Sequence, residues 1–436
     1  MNKEISETIY RLTQEVRHHA DLYYRKDQPE ISDEAYDTLY QKLRDLEEQY
    51  PEFKDPLSPT VRVGGKILEG FTKIKHLFPQ WSFDNVFNAE ELKKWDKKVR
   101  DNLRKKDAEQ LDSISYVSEL KIDGLKIILD YDNGKLVSAA TRGDGVSGEE
   151  VTQSVKTIND IPLLVEEKRS FSVVCEVWIS RSDFERINTQ QKKKGETLYA
   201  NPRNLAAGTL RQLDTRVVAS RNLQSFAYDF DSNDVVFDTH TEELSFLIEQ
   251  GFHVNAHYCV SKDMDVHQKW YLSWVEKRGK QAFAVDGIVL KVNQTSIREL
   301  LGFTAKAPRF AVAYKFPAEQ KTTTVKNIVM QTGRTGVLTP VAELEAVDID
   351  GSTVSRATLH NMSEIERLGV YIGDTVVVEK SGDIIPKVKK VLVNVRPQTA
   401  HPFIVETYLS ENGIVAEKEI SESEGFTQIL AKGERE

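Results

Sequence analysis

Two glycine turns, Asp123-Gly124 and Asn133-Gly134, cut the apolar run from Ile114 to Val137 into three short strands. Asn-Gly is a strong hairpin signal, because both central residues of the favoured two-residue turn need positive φ. The segment before the first turn, Ser118-Glu119-Leu120-Lys121-Ile122-Asp123-Gly124, therefore sets Lys121 at the turn edge of a sheet, where a ligand can reach it. Lys-x-Asp-Gly by itself would serve equally well as an exposed β-turn.

Further charges interrupt strands that otherwise read as apolar. Arg142 ends the third strand in Thr141-Arg142-Gly143-Asp144-Gly145, Glu176 lies in Cys175-Glu176-Val177-Trp178-Ile179, Lys291 closes Asp286-Gly287-Ile288-Val289-Leu290-Lys291, and Lys315 closes Phe310-Ala311-Val312-Ala313-Tyr314-Lys315. Charges in such places are costly without partners, so a multiply charged ligand is the natural occupant. The net charge of −9 gives no sign of nucleic-acid binding, but position matters more than the total. Between Lys291 and Pro340 eight basic residues stand against two acidic ones, a local excess of +6 that suits a phosphate-tracking surface.

In this order the pieces resemble the nucleotidyltransferase motifs of the covalent ligase and capping-enzyme superfamily, and more closely the bacterial NAD-dependent DNA ligase family, from the N-terminus to about Val395. Two runs make the resemblance specific to the NAD-using branch. Tyr23 to Asp37, ending Ser32-Asp33-Glu34-Ala35-Tyr36-Asp37, is similar to the family's nicotinamide-mononucleotide-binding motif, and Asn201-Pro202-Arg203-Asn204-Leu205-Ala206-Ala207-Gly208 continues to Asp214 as a second long match.

The resemblance implies an α+β multidomain chain: a helical N-terminal domain over 1–56, a nucleotidyltransferase (ATP-grasp-like) core of mixed and antiparallel sheets over 57–317, a β-barrel OB-fold over 318–400 and an acidic tail over 401–436. Lys121 is then the nucleophile, helped by Asp123, Lys291 and Lys315. Glu119 and Lys291 read the adenine edge, Arg142 and Glu176 the ribose hydroxyls, and Ser82 and Phe83 line the nucleoside pocket. Lys315 contacts the α-phosphate, Arg278 adds a basic group, and Tyr23, Tyr24, Asp33, Glu34, Ala35, Tyr36 and Asp37 hold the nicotinamide end. Arg203, Arg211, Arg309 and Arg334 are the implied DNA contacts. The implied cofactors are NAD and Mg2+, with Mn2+ as the substitute; the implied partner is nicked double-stranded DNA, bound by a monomer.

Attack on the α-phosphorus of NAD needs a neutral amine, yet a free lysine with a pKa of ~10.4 is only about 0.1% neutral near pH ~7.5. Lys291 and Lys315, if close to Lys121, lower its pKa by repulsion, with burial acting in the same direction. The same cations neutralise the transferring phosphoryl group.

Cys175 and Cys259 cannot build a disulfide framework or a four-cysteine zinc site, so no zinc and a reduced, cytoplasmic setting are expected. No apolar run is long enough to span a membrane. The chain stops at Glu436, where the family continues into a zinc finger, helix-hairpin-helix repeats and a BRCT domain, so a short form relying on a helper protein is the expectation. Leu409 and Asn412 overlie the first cysteine pair of that finger. Lys126 and the run Trp81-Ser82-Phe83 also depart from the family pattern. The competing readings are a non-catalytic nick-binding protein, one subunit of a split ligase, and an RNA or ATP-using ligase.

Overall fold

The computed structural model describes residues 2–24, 30–31, 33–55, 57–62, 70–317, 320–333, 336–349, 352–381, 385–420 and 427–431. The chain divides into two compact units, Met1–Phe316 and Pro317–Glu436. The first begins with α1 (Asn2–Tyr24) and α2 (Asp33–Gln49), which bury Ile9, Val16 and Leu43 between them. The second helix starts at Asp33, and Pro51 opens a separate 3-10 turn beyond it.

Two larger sheets organise the rest of this unit, beside a two-stranded pair of Lys73–Lys75 with Ser147–Glu149. In chain order the strands are β1 (Asp84–Val86), β2 (Tyr116–Ile122), β3 (Leu125–Asp132), β4 (Lys135–Thr141), β5 (Phe171–Trp178), β6 (Gln224–Asp231), β7 (Tyr258–Ser261), β8 (Val285–Val292) and β9 (Ala311–Lys315). One sheet has the order β1-β9-β8-β2-β7 and the other β4-β3-β5-β6. The predicted three-strand run therefore straddles both sheets. β3 and β4 form the expected hairpin, with Asn133 and Gly134 at φ 50° and 72°. The Asp123-Gly124 turn instead carries the chain across the seam. Gly124 is required there, because a Cβ would sit 2.3 Å from Val177 O.

Period-two alternation assigns each face. Leu120, Ile122, Ile288, Leu290, Val312 and Tyr314 enter one core with Leu92, Tyr271 and Trp274. Ile127, Leu129, Val173, Cys175 and Val177 enter another. α3 (Ala89–Lys106) contributes Leu92 to the first core, and the second is closed by α4 (Arg181–Lys194), through Ile187, by α5 (Pro202–Leu210), through Leu205 and Leu210, and by α6 (His240–Glu249), through Leu244 and Leu247. The opposite faces carry the polar residues.

The second unit is a closed barrel of β10 (Gln320–Thr332), β11 (Leu338–Ile349), β12 (Ser352–Thr358), β13 (Thr375–Ser381) and β14 (Ile385–Val391), in the order β10-β11-β12-β14-β13. Val325, Ile328, Ala342, Leu344, Val354, Val376, Val378 and Val388 fill it, as expected of an OB-fold barrel. Arg396 clamps its base, donating through Nε and Nη2 to the fully buried Asp374 (2.7 and 2.8 Å) while stacking 3.9 Å from the Tyr371 ring.

Candidate functional site

The polar face of the β2/β8/β9 sheet is built by register. Lys121 and Lys315 both pair with Gly287, so the two lysines stand on one rung with only a glycine between them. Their shared partner arrives through an irregularity. A register shift between Val285 and Gly287 inserts Asp286 as an extra residue, and such a bulge re-aims a side chain that strict alternation would send to the other face. Asp286 Oδ2 accepts from Lys121 Nζ (3.1 Å) and from Lys315 Nζ. Among the described residues the other oxygen, Oδ1, is buried with no hydrogen-bond partner.

A second bulge opens the facing sheet. Val174 pairs with Asp229 and Cys175 with Ala227, leaving Tyr228 as the extra residue of β6. Its carbonyl accepts from Lys291 Nζ (2.7 Å), and its ring lies 5.4 Å from that ammonium. Lys291 is 2.9 Å from Glu119 Oε2 and 3.1 Å from His240 Nε2. The cleft thus has one end at Lys121, Asp286 and Lys315 and another at Glu119, Lys291 and His240.

Electrostatics correct one expectation. Lys121 was expected to be acidified by Lys291 and Lys315. Burial does act to lower its pKa, but Asp286, Glu176 and Asp123 outweigh burial, so the pKa is raised above the ordinary lysine value. The groups acting on Lys121 are carboxylates, and Lys291 is committed to Glu119. Burial raises Glu176 to about 7, against the pull of Lys121 and Arg203. At the other end burial opposes ionisation of Glu119, yet Lys291 and His240 hold its carboxyl down at about 2. Lys126 lies cross-strand from Glu176, and burial lowers its pKa despite Asp229 and Asp231.

Of the remaining predicted residues, Arg142 donates to Ser82 Oγ (2.7 Å), with Phe83 next to Ser82 in the chain. Arg203, expected on DNA, extends from α5 to Asp123 Oδ1 (2.9 Å), within the reach of Lys121's charge cluster. Arg211 pairs with Glu149 (2.8 Å), and Arg309 is exposed, reaching Leu301 O (3.4 Å). The Arg278 guanidinium lies 5.2 Å from the Phe316 ring. Ala35 is exposed on α2, and Tyr36 packs 6.2 Å from Tyr40. The side chains of Tyr23, Tyr24, Asp33, Glu34 and Asp37, and all of Arg334, lie outside the described residues.

Sequence reasoning passed over Asp286, Tyr228 and His240. The Asp286-Gly287 pair was a signal for the first, since a glycine inside a strand often marks a bulge. Nothing in the local sequence marks His240, whose position depends on the long connection between β6 and β8.

Known proteins match this architecture along its length. Residues 68–319, more than half of the chain, match the model of the NAD-dependent DNA ligase adenylation domain. Residues 322–400 match the NAD-dependent DNA ligase OB-fold domain, and residues 2–64 the DNA ligase-like, N-terminal NAD+-binding domain. A DNA ligase of Thermotoga neapolitana is 46% identical over 395 residues, covering 90% of this chain and 56% of the relative. One of Halothermothrix orenii is 47% identical over 397 residues, covering 91% of this chain and 58% of the relative. The chain thus spans little more than half the length of these curated relatives. With its two-sheet cleft, its Lys121 motif and these matches, the chain belongs to the NAD-dependent DNA ligase family.

Proposed function

We propose that this chain charges Lys121 with AMP taken from NAD and passes the adenylate to the 5′-phosphate at a nick in duplex DNA, where the 3′-hydroxyl displaces AMP and seals the strand. The observation that carries the reading is the rung on which Lys121 and Lys315 share Asp286, facing Glu119 and Lys291 deeper in the same cleft.

In the first step Lys121 Nζ forms a bond to the α-phosphorus, the bond from phosphorus to the bridging oxygen breaks, and nicotinamide mononucleotide leaves with the electron pair. The amine must first lose its proton and the hold of Asp286. Lys315, on the same rung, then stands beside the phosphoryl oxygens. Glu119 and Lys291 take the base edge, and Arg142, Ser82, Phe83 and Glu176 the ribose, with Arg278 adding positive charge. Tyr23, Tyr24, Asp33, Glu34, Ala35, Tyr36 and Asp37 receive the nicotinamide end. The unpartnered Asp286 Oδ1 and the neighbouring Glu176 suit Mg2+ or Mn2+, which would supply charge neutralisation at the transferring phosphoryl group. Arg203, once released from Asp123, and Arg211, Arg309 and Arg334 are assigned to the nicked duplex. Division at residues 56, 317 and 400, a monomeric state and a cytoplasmic setting complete the proposal. Among the described residues no helix is long and apolar enough to cross a membrane.

Intact mass after incubation with NAD and magnesium tests the reading, beside ATP in place of NAD and beside Lys121→Ala. A gain of one AMP that needs NAD and Lys121, and that disappears on nicked duplex as the strand is sealed, is the expected result. No gain with NAD would overturn the proposal in favour of a non-catalytic nick-binding protein.

A further inference from the structure

His240 holds the base-reading end of the cleft. It is completely buried at the start of α6, and its backbone N–H donates to Asn293 O (2.8 Å), two residues beyond Lys291. Asn293 Oδ1 also accepts from the Thr241 N–H (3.3 Å), so the helix start is stitched to the end of the strand that carries Lys291. From this anchor the imidazole faces Glu243 Oε2 through Nδ1 (2.6 Å) and Glu119 Oε2 through Nε2 (2.8 Å). Glu243 lies 3.5 Å from Arg298 Nη1, and Arg298 Nε donates to Val292 O (2.6 Å). A continuous polar chain runs from Arg298 through Glu243 and His240 to Glu119 and Lys291.

Ligand atoms of Asp229, His240 and Glu243 also lie within 4.8 Å of one another. A metal ion is disfavoured there, because both imidazole nitrogens already face protein groups and Lys291 and Arg298 already supply the positive charge. The cluster is an ion-pair network, and its asymmetry is informative. His240 and Lys291 both converge on Oε2 of Glu119.

We propose that His240 is a positioning residue that makes the cleft selective for an adenine base, by clamping Glu119 through Oε2 so that Oε1 stands as a fixed acceptor for the exocyclic amine. The inference rests on the reading that Glu119 and Lys291 face the base edge. A carboxylate free to rotate can turn away or take water, whereas one pinned through a single oxygen presents the other in one direction. Adenine offers an amino donor at position 6; hypoxanthine offers an oxo acceptor, which would confront a second acceptor in a buried site. Leaving buried polar groups unpaired in this way is what gives a binding site its large discrimination.

The test is single-turnover self-adenylation of the full chain, read by intact mass, with NAD and with nicotinamide hypoxanthine dinucleotide. Wild type, His240→Ala, His240→Gln and Glu119→Ala are compared, with thermal unfolding checked for each. His240→Ala is expected to lower the preference for NAD by about 10- to 100-fold and to raise the half-saturating NAD concentration. The rise in half-saturating concentration should exceed any fall in maximal rate, which a merely structural lesion would not produce. His240→Gln, which can still donate one amide N–H, should keep part of the preference, and it decides the matter if the alanine variant does not fold. The proposal is overturned if both His240 variants keep the full preference while Glu119→Ala loses it, or if they lose maximal rate with preference intact. If Glu119→Ala also keeps the preference, the reading of the base edge fails first.

Discussion

Lys121 Nζ lies 3.1 Å from Asp286 Oδ2, and this contact holds the proposed nucleophile in its charged form. A protonated, paired lysine is stable at rest and cannot attack. On the proposed function, charging therefore begins with removal of the pairing, and the carboxylates around Lys121 decide how readily that happens.

Asp286→Asn removes the main attractive partner. Self-adenylation is expected to fall at least about 100-fold, since Lys315 loses the same anchor. The pH at which the residual rate rises should move down by about one unit, because burial then acts on Lys121 with less opposition. An unchanged pH dependence in a single-turnover series would refute the assigned cause.

In the wild type two groups must lose protons. The raised Lys121 pKa means that the rate keeps climbing with pH beyond ~10, with no plateau between about pH 7.5 and 9. Glu176, raised to about 7, adds a second dependence below neutrality, where the slope of log rate against pH should approach two. Glu176→Gln should restore a slope of one throughout; a slope of two in that variant would exclude Glu176 as the second group.

Glu119 gives the stability counterpart. Its folded value of about 2 lies below its ordinary 4.5, so the stabilisation is fully present above the ordinary carboxylate range and is lost as pH falls toward about 2. Urea midpoints measured from pH 6 downward should fall less steeply for Glu119→Gln than for wild type.

Gly287→Ala should damage the site through the backbone. The new Cβ would sit 2.5 Å from Tyr314 O and 3.0 Å from Lys315 Cα, so β9 must shift. A loss of about 1–3 kcal/mol in stability is expected, with a larger proportional loss of adenylation measured at a temperature where the variant remains folded.

In the barrel, Arg396→Met leaves the buried Asp374 without its fork. Unfolding of that unit should cost about 3–5 kcal/mol less, and adding Asp374→Asn should recover much of it. A double-mutant cycle with no coupling would show the pair to be inert.

The sequence makes most of this architecture legible, because strands, turns and charges in it obey simple periods. The Asn133-Gly134 hairpin follows from local chemistry, while the helical N-terminus and the barrel followed from the family resemblance. What was missed lies where the period breaks. Asp286 and Tyr228 reach the cleft because each is the unpaired residue of a bulge, and bulges depend on the partner strand. The crossing of Asp123-Gly124 between two sheets was hidden for the same reason. Lys291 does not act on Lys121 as expected, because its ammonium goes to Glu119.

The glycine between Lys121 and Lys315 turns hydrogen-bond register into a ruler. If either flanking strand slipped by one residue, its lysine would rotate to the far side of the sheet while most of the ladder re-formed. Such a molecule would keep its strand content and compactness and still be unable to carry out the proposed first step. Preparations of this chain are therefore better judged by the fraction that takes up a single adenylate than by any spectroscopic measure of foldedness.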